Sequence, residues 1–261
     1  MKKLVVNADD FGFTRDVNRG IVEAHAEGIL TATTLMANGA AFEDAVQLAK
    51  QHPSLDIGVH LVVVGDPPYP PTVAKLTLAV ALGQIPIFDE FVKQVRKILN
   101  AGIRPTHLDT HKHTHLLPPV LDAVARISEE FQIPWVRRPF DAPIRYPGVA
   151  ASKRLISKAM SLRRAAFARV LSQHGCRSTD HFSGFQITGN FSPTTLAAII
   201  RALPEGSTEF MCHPGVCTDE LRAAPTRLKE SREQELRALT SKEVRKAIGE
   251  CGVLLTNYSG L

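Results

Sequence analysis

The sequence predicts an α/β protein built as a single (β/α) barrel, distorted or incomplete relative to a TIM barrel, with its active site at the C-terminal ends of the strands. Three observations predict it. Short β-branched runs alternate with longer stretches of helical period, the pattern of a parallel sheet sheathed by helices. Seven or so such units fit in 261 residues, enough for one large barrel with a sizeable core. Metal-type and acid–base side chains fall at the ends of the β-like runs, where barrels and open α/β sheets gather their chemistry. A doubly wound open sheet is the alternative that the same alternation allows.

Lys3–Asn7 reads as the first strand because Leu4-Val5-Val6 is apolar and β-branched. Val17–Glu27 follows as a helix. Thr31–Met36 is a second strand, Ala41–Gln51 a helix and Leu55–Leu61 a third strand. Pro67, Pro68, Pro70 and Pro71 then form one turn-forming patch. Asp89–Ala101 is a helix with Val92, Val95, Ile98 and Leu99 on one face. Thr106–His111 is the next strand, Pro119–Glu130 the next helix and Pro134–Arg138 another strand. Towards the C-terminus Ser192–Ala202 is helical, Glu209–His213 is a strand, Ser231–Ile248 contains a further helix and Val253–Tyr258 closes the series. No internal repeat or clear linker divides the chain, so residues 1–261 read as one domain. Residues 140–190 break the alternation and read as an insertion on the barrel.

Hydrophobic residues at 44% and charged residues at 22% suit a soluble globular protein and argue against disorder. Leu4-Val5-Val6 stops at Asn7 and two aspartates, too soon for a signal-peptide core, and no stretch approaches the ~20 apolar residues of a membrane span. Cys176, Cys212, Cys217 and Cys251 show no CxxC pairing, which suits reduced thiols in the cytoplasm. The net charge of +5 is unevenly spread. From Arg137 to Arg169 nine Lys/Arg face a single acid, Asp141. Within residues 151–171, Leu155, Ala159, Leu162, Ala166 and Val170 follow helical spacing, with Arg154, Lys158, Arg164 and Arg169 over much of the remaining surface. Such a helix can lie on an anionic membrane, which would put the protein peripherally at the inner face. The competing reading is a helix packed on the barrel with a solvated basic face. Few interleaved aromatics make nucleic acid an unexpected partner. A homodimer is left open.

Four strand ends carry the chemistry. Adjacent aspartates in Asn7-Ala8-Asp9-Asp10-Phe11-Gly12 would point to opposite faces of a strand unless the chain turns, and Gly12 supplies such a turn. One carboxylate can then bind a metal while the other stays free as a base. A helix cap or Asx-turn is the structural alternative. His107, Asp109, His111, His113 and His115 recur at every second position and share one face if extended. Four of the chain's ten histidines within nine residues are hard to explain by packing, and neutral imidazoles beside carboxylates suit a divalent ion. His60, ending Gly58-Val59-His60, completes an Asp10–His60–His111 set that leaves positions open for water and substrate. His213, in Met211-Cys212-His213-Pro214, is stopped by a Pro-Gly turn near the mouth, and an ordinary imidazole suits protonation of a leaving amine.

With these motifs, and with Pro105-Thr106-His107-Leu108-Asp109-Thr110-His111, the chain resembles the YdjC/ChbG-like carbohydrate deacetylases almost end to end. It looks most like the hopanoid-biosynthesis-associated branch. The match is weakest in the Pro-rich loop after His60 and through residues 140–175. Where many members carry Ser, this chain has Thr110, and both keep a hydroxyl. The resemblance implies a barrel-like fold, one divalent ion (magnesium or zinc) on Asp10, His60 and His111, and Asp9 as base. It implies an N-acetylated amino-sugar substrate, lipid-linked as an N-acetylglucosaminyl hopanoid in that branch. His213 is then the expected acid, while Asn7, Asp109, His113, His115 and Arg137 are expected to touch substrate or support the ligands. A chito-oligosaccharide deacetylase, another metal hydrolase on the same scaffold, and a non-catalytic metal-bearing lipid- or sugar-binding protein are the alternatives.

Overall fold

Eight strands form one sheet in the computed structural model, which describes residues 1–65, 67–146 and 148–261. They are β1 (Lys2–Phe11), β2 (Ala32–Leu35), β3 (Asp56–Leu61), β4 (His107–Thr110), β5 (Trp135–Val136), β6 (His181–Ser183), β7 (Gly206–Cys212) and β8 (Leu254–Leu255). The helices are α1 (Arg15–Ala26), α2 (Phe42–Gln51), α3 (Val73–Ala81), α4 (Ile87–Asn100), α5 (Pro118–Phe131) and α6 (Ala151–Ser161), then α7 (Arg164–Gln173), α8 (Pro193–Arg201), α9 (Asp219–Ala223), α10 (Glu230–Leu239) and α11 (Lys242–Glu250).

All the ladders are parallel, in the order β5-β4-β3-β2-β1-β7-β6, with β8 beside the start of β1. The two ends of that order meet. Trp135 bridges Arg177 and Asp141 bridges Phe182, with Val136 N–H donating to Arg177 O at 2.8 Å and Ala142 N–H to Phe182 O at 2.7 Å. The sheet therefore curls into a distorted barrel whose seam is stitched at two points instead of laddered. An open doubly wound sheet is excluded by this closure.

Pleating sorts the strand residues into two sets. Leu4, Val6 and Ala8 of β1, Val59 and Leu61 of β3, and Phe210 and Cys212 of β7 join the core under the helices. Val5, Ala32, Trp135 and Tyr258 form a separate small cluster inside the barrel. Above it the inward positions turn polar, with Asn7, His107, Glu209 and Asp109 all fully buried or nearly so. The polar residues at the strand ends are thus held on a rigid wall with an apolar floor.

Several elements differ from expectation. In α4 the buried face is Ile87, Phe91, Val95 and Ile98, because spacing of four and three residues centres it there, while Leu99 is exposed. The stretch 155–170 is not one helix but α6 and α7, broken at Leu162–Arg163. Leu155 and Leu162 of the expected apolar face lie in solvent, as does Ile156, while Phe167 and Leu171 of α7 provide the packing. Ser231–Ile248 divides into α10 and α11, the second started by Ser241, whose hydroxyl accepts from Val244 N–H. The 140–190 segment contains β6, a member of the barrel wall, as well as α6 and α7. Its short His-Phe-Ser strand offers no periodic signal.

Candidate metal centre

β1 continues through both aspartates. Ala8 pairs with Thr33 and Phe11 with Leu35, so β1 takes three steps where β2 takes two. This bulge coincides with Asp10, whose φ of 71° lies in the left-handed region that Asp tolerates better than most residues. Asp9 and Asp10 therefore both reach the site, although regular pleating would separate them. The turn begins at Asp10, ahead of the Gly12 to which the sequence assigned it. The strand at His107 also ends early. Thr110 is its last residue, His111–Leu116 forms a 3-10 turn, and Lys112 and His113 take φ of 54° and 51°. His107 and Asp109 share an inward face as expected, but the alternation does not extend to His111, His113 and His115.

Asp10, His60 and His111 nevertheless converge. Asp10 Oδ1 lies 3.4 Å from His60 Nε2 and 3.2 Å from His111 Nδ1, and the two nitrogens are 3.2 Å apart. Bonds of about 2.0–2.1 Å to one ion set neighbouring donor atoms roughly 3.0 Å (octahedral) to 3.4 Å (tetrahedral) apart. Among the described residues Asp10 Oδ1 has no hydrogen-bond partner although it is buried, as a ligand oxygen for a cation would be. The donor set of one carboxylate and two imidazoles fits a divalent ion. Its other carboxylate oxygen, Oδ2, accepts from Arg232 Nη2 at 2.6 Å. Burial acts to raise the Asp10 carboxyl, but Arg232 and the two histidines outweigh it and hold the group well below the usual range.

His60 is aimed by its far side. Its Nδ1 sits 2.7 Å from Asp109 Oδ1 and 3.1 Å from Thr34 Oγ1, and Thr34 also donates to Asp109 Oδ2. A carboxylate behind a histidine fixes the tautomer that leaves Nε2 for the front. Burial disfavours the His60 cation, yet Asp109, Asp10 and Asp9 together raise its pKa to about 10. His111 is the open edge of the set, its side chain 25% exposed. Asp9, His60 and Asp109 also lie close enough for a second convergence, but Arg137 Nη1 already donates to Asp9 Oδ2 at 2.8 Å and forms an ion pair with Asp109 Oδ2 at 2.7 Å.

Asp9 sits beside the triangle. Arg137 grips it with both terminal nitrogens, Nη2 donating to Oδ1 at 2.6 Å. Burial alone would raise Asp9, but Arg137 reverses this and leaves it ionised far below the usual range. His213 Nε2 is 3.7 Å from Asp9 Oδ2. Burial pushes His213 down to about 4 against the pull of Asp9 and Asp10. It is therefore neutral at rest, a correction to the ordinary imidazole expected from sequence.

The other residues singled out in the sequence have these surroundings. Asn7 Nδ2 donates to Glu209 Oε1, and its Oδ1 faces His107 Nε2 at 3.3 Å. His115 is fully buried between the Thr110 hydroxyl and the Arg137 carbonyl. His113 lies about 6 Å from the Phe182 and Phe185 rings, its Nδ1 without a hydrogen-bond partner among the described residues. Sequence reading missed Arg232, Glu235, Glu209 and Thr34. Glu209 carried a signal, since it lies four residues before His213 in the run read as a strand; Arg232 and Glu235 sat in an ordinary charged helix.

Residues 3–250 match the YdjC-like protein family. The chain is 31% identical to a carbohydrate deacetylase of Brevibacillus brevis over 99% of both chains, and 30% identical to a carbohydrate deacetylase of Thermoanaerobacter pseudethanolicus over 99% of both. Among solved structures it resembles a protein of Enterococcus faecalis to which cellobiose-phosphate cleavage is provisionally attributed, with TM-score 0.76 and 26% identity over 99% of this chain and 98% of that one. A lactam utilization protein of Thermus thermophilus shares the fold at TM-score 0.54 and 15% identity over 97% of this chain and 98% of that one. With a match spanning nearly its whole length, the chain belongs to the YdjC-like family.

Proposed function

We propose that this chain is a metal-dependent deacetylase that hydrolyses the N-acetyl group of an N-acetylglucosamine-bearing substrate. The observation that carries the reading is the Asp10–His60–His111 triangle with the ionised Asp9 beside it, 3.7 Å from His213. Its relatives named as carbohydrate deacetylases support the substrate class. Asp10, His60 and His111 would hold one divalent ion, magnesium or zinc, which when bound polarises the acetyl carbonyl and makes a water more acidic.

The chain's own groups do the rest. Asp9 accepts the proton of the attacking water at Oδ2, the oxygen nearer His213. A neutral His213 cannot donate first, so Nε2 takes that proton across from Asp9 and passes it to the departing nitrogen as the C–N bond breaks. The products are acetate and the free amine. Arg137 keeps Asp9 in place and ionised before the step.

Acetate release from N-acetylglucosamine oligomers by ion-loaded protein tests the reading. Stripping the ion with a chelator should abolish release and adding it back should restore it. Asp9→Asn should lower kcat by roughly 10²–10⁴-fold while leaving the ion in place. Full activity in Asp9→Asn would remove it as base, and no acetate from the oligomers with phosphate released from a sugar phosphate assayed beside them would name a different hydrolase.

The hopanoid branch adds a lipid-linked substrate met at the inner face of the membrane. In its favour, Leu155, Ile156 and Leu162 are 69%, 51% and 85% exposed beside Arg154, Lys158 and Arg163, with no acid in residues 142–178. That surface suits apolar insertion between anionic headgroups. Co-sedimentation with phosphatidylglycerol vesicles should be lost in Leu155→Ser/Leu162→Ser. No binding even at low salt would leave a deacetylase of soluble sugars.

A further inference from the structure

Helix α10 carries two charged side chains that the reaction above does not use. Arg232 and Glu235 are each 1% exposed and stand one helical turn apart. Burying charge is costly unless each group is paired, and the neighbouring Leu236 and Leu239 show that this helix packs with apolar residues elsewhere. Among the described residues Arg232 and Glu235 make no ion pair with each other. Each addresses a different strand end. Arg232 Nη2 donates to Asp10 Oδ2 at 2.6 Å. Glu235 Oε2 accepts the backbone N–H of His213 at 2.5 Å, and its Oε1 accepts that of Gly189 at 2.6 Å.

Asp10 lies at the end of β1 and His213 just past β7, and these strands are neighbours in the sheet. The polypeptide after each strand end is irregular, with a bulge at Asp10 and Pro214-Gly215 behind His213. Neither side chain is therefore placed by the ladder alone. A single rigid helix reaching both supplies the missing constraint.

We propose that Arg232 and Glu235 are positioning residues with divided tasks. Arg232 occupies one oxygen of Asp10 and so presents the other to the ion. Glu235 anchors the His213 main chain and keeps Nε2 facing Asp9. This rests on the assignment of Asp10 as ligand and His213 as proton carrier.

The test is calorimetric zinc titration of chelator-stripped full-length protein, alongside kcat and KM on an N-acetylglucosamine oligomer. Arg232→Ala should weaken zinc binding by about 10–100-fold, the range for partners of metal ligands, with Arg232→Lys recovering part of it. Glu235→Gln should bind zinc within about twofold of the parent, yet lose about tenfold or more in kcat with KM unchanged. A merely structural role would move both properties together in both variants, and that result overturns the division. Parent affinity in a folded Arg232→Ala or Arg232→Lys overturns the Arg232 task. Melting temperatures and circular dichroism identify the folded variants. If Arg232→Ala does not fold, the comparison rests on Arg232→Lys, which keeps the charge and shifts its reach. His60→Ala is the reference. If it still binds zinc stoichiometrically, the ligand set itself is wrong and the Arg232 result is judged separately.

Discussion

At the scale of single residues, a proton occupies the place that an ion would take. Burial opposes the His60 cation, but Asp109, Asp10 and Asp9 raise its pKa from 6.5 to about 10 in the ion-free protein. A raised folded pKa stabilises the ion-free state fully below about 6.5, and that contribution is lost as pH climbs through about 10. Ion binding must expel this proton. Between those pH values, affinity should rise about tenfold per pH unit, with about one proton released per ion. Calorimetry in buffers of different ionisation enthalpy measures the number directly, and zero release at pH 8 would show that His60 is already neutral before the ion binds. The three converging donors were legible in sequence because each ends a β-like run, and strand ends meet in a barrel. Arg232 and Glu235 were not legible, because only tertiary packing turns a charged helical stretch inward.

At the scale of elements, close backbone approach sets what a helix can tolerate. Gly20 lies in α1 against the loop that follows His213. A Cβ built there would stand 2.3 Å from Gly215 Cα, with no flexible side chain to yield. Helix propensity alone favours Gly20→Ala by about 0.5–1 kcal/mol, but overpacking against backbone costs about 1–3 kcal/mol. The clash wins, so Tm should fall. The displaced Gly215 is two residues from His213, so kcat should fall with it. Gly249 in α11 has nothing within 4 Å of its built Cβ, and Gly249→Ala should raise stability by the propensity gain. Thermal melts of the two variants should therefore move in opposite directions, and a shared upward shift would show that the α1–loop contact is looser than described. Long elements with clear periods were readable in advance, α1, α2, α5 and the central strands among them. The 3-10 turn at His111 was not. Its left-handed Lys112 and His113 answer to the burial of His113 and His115, which a run of alternating histidines disguises as a strand.

At the scale of the whole molecule, the barrel is closed by charge where its ladder is thin. The seam between β5 and β6 has only two bridges among the described residues, but Arg137, just beyond β5, reaches across the interior. It binds Asp9 of β1, Asp109 of β4 and Glu209 of β7 at 2.6–2.7 Å, with its side chain 1% exposed. Burial works against its charge, and the three carboxylates raise its pKa still further above the usual arginine value. The alternation of strands and helices foretold a barrel, but no local pattern could foretell that one guanidinium ties four strands. Arg137→Met keeps much of the bulk and removes the cation. It leaves three buried carboxylates to repel one another, a loss of about 3–5 kcal/mol for a broken buried pair. Arg137→Lys should lose less, because a point charge can satisfy some of these oxygens but not the bidentate grip on Asp9. Adding Glu209→Gln to Arg137→Met removes one unpaired charge and should recover part of the stability without restoring kcat, since Asp9 remains unheld. Urea unfolding of the single and double variants measures the coupling. Full additivity, with no recovery in the double variant, would mean that the carboxylates are screened from one another and that the seam is held by its backbone bridges alone.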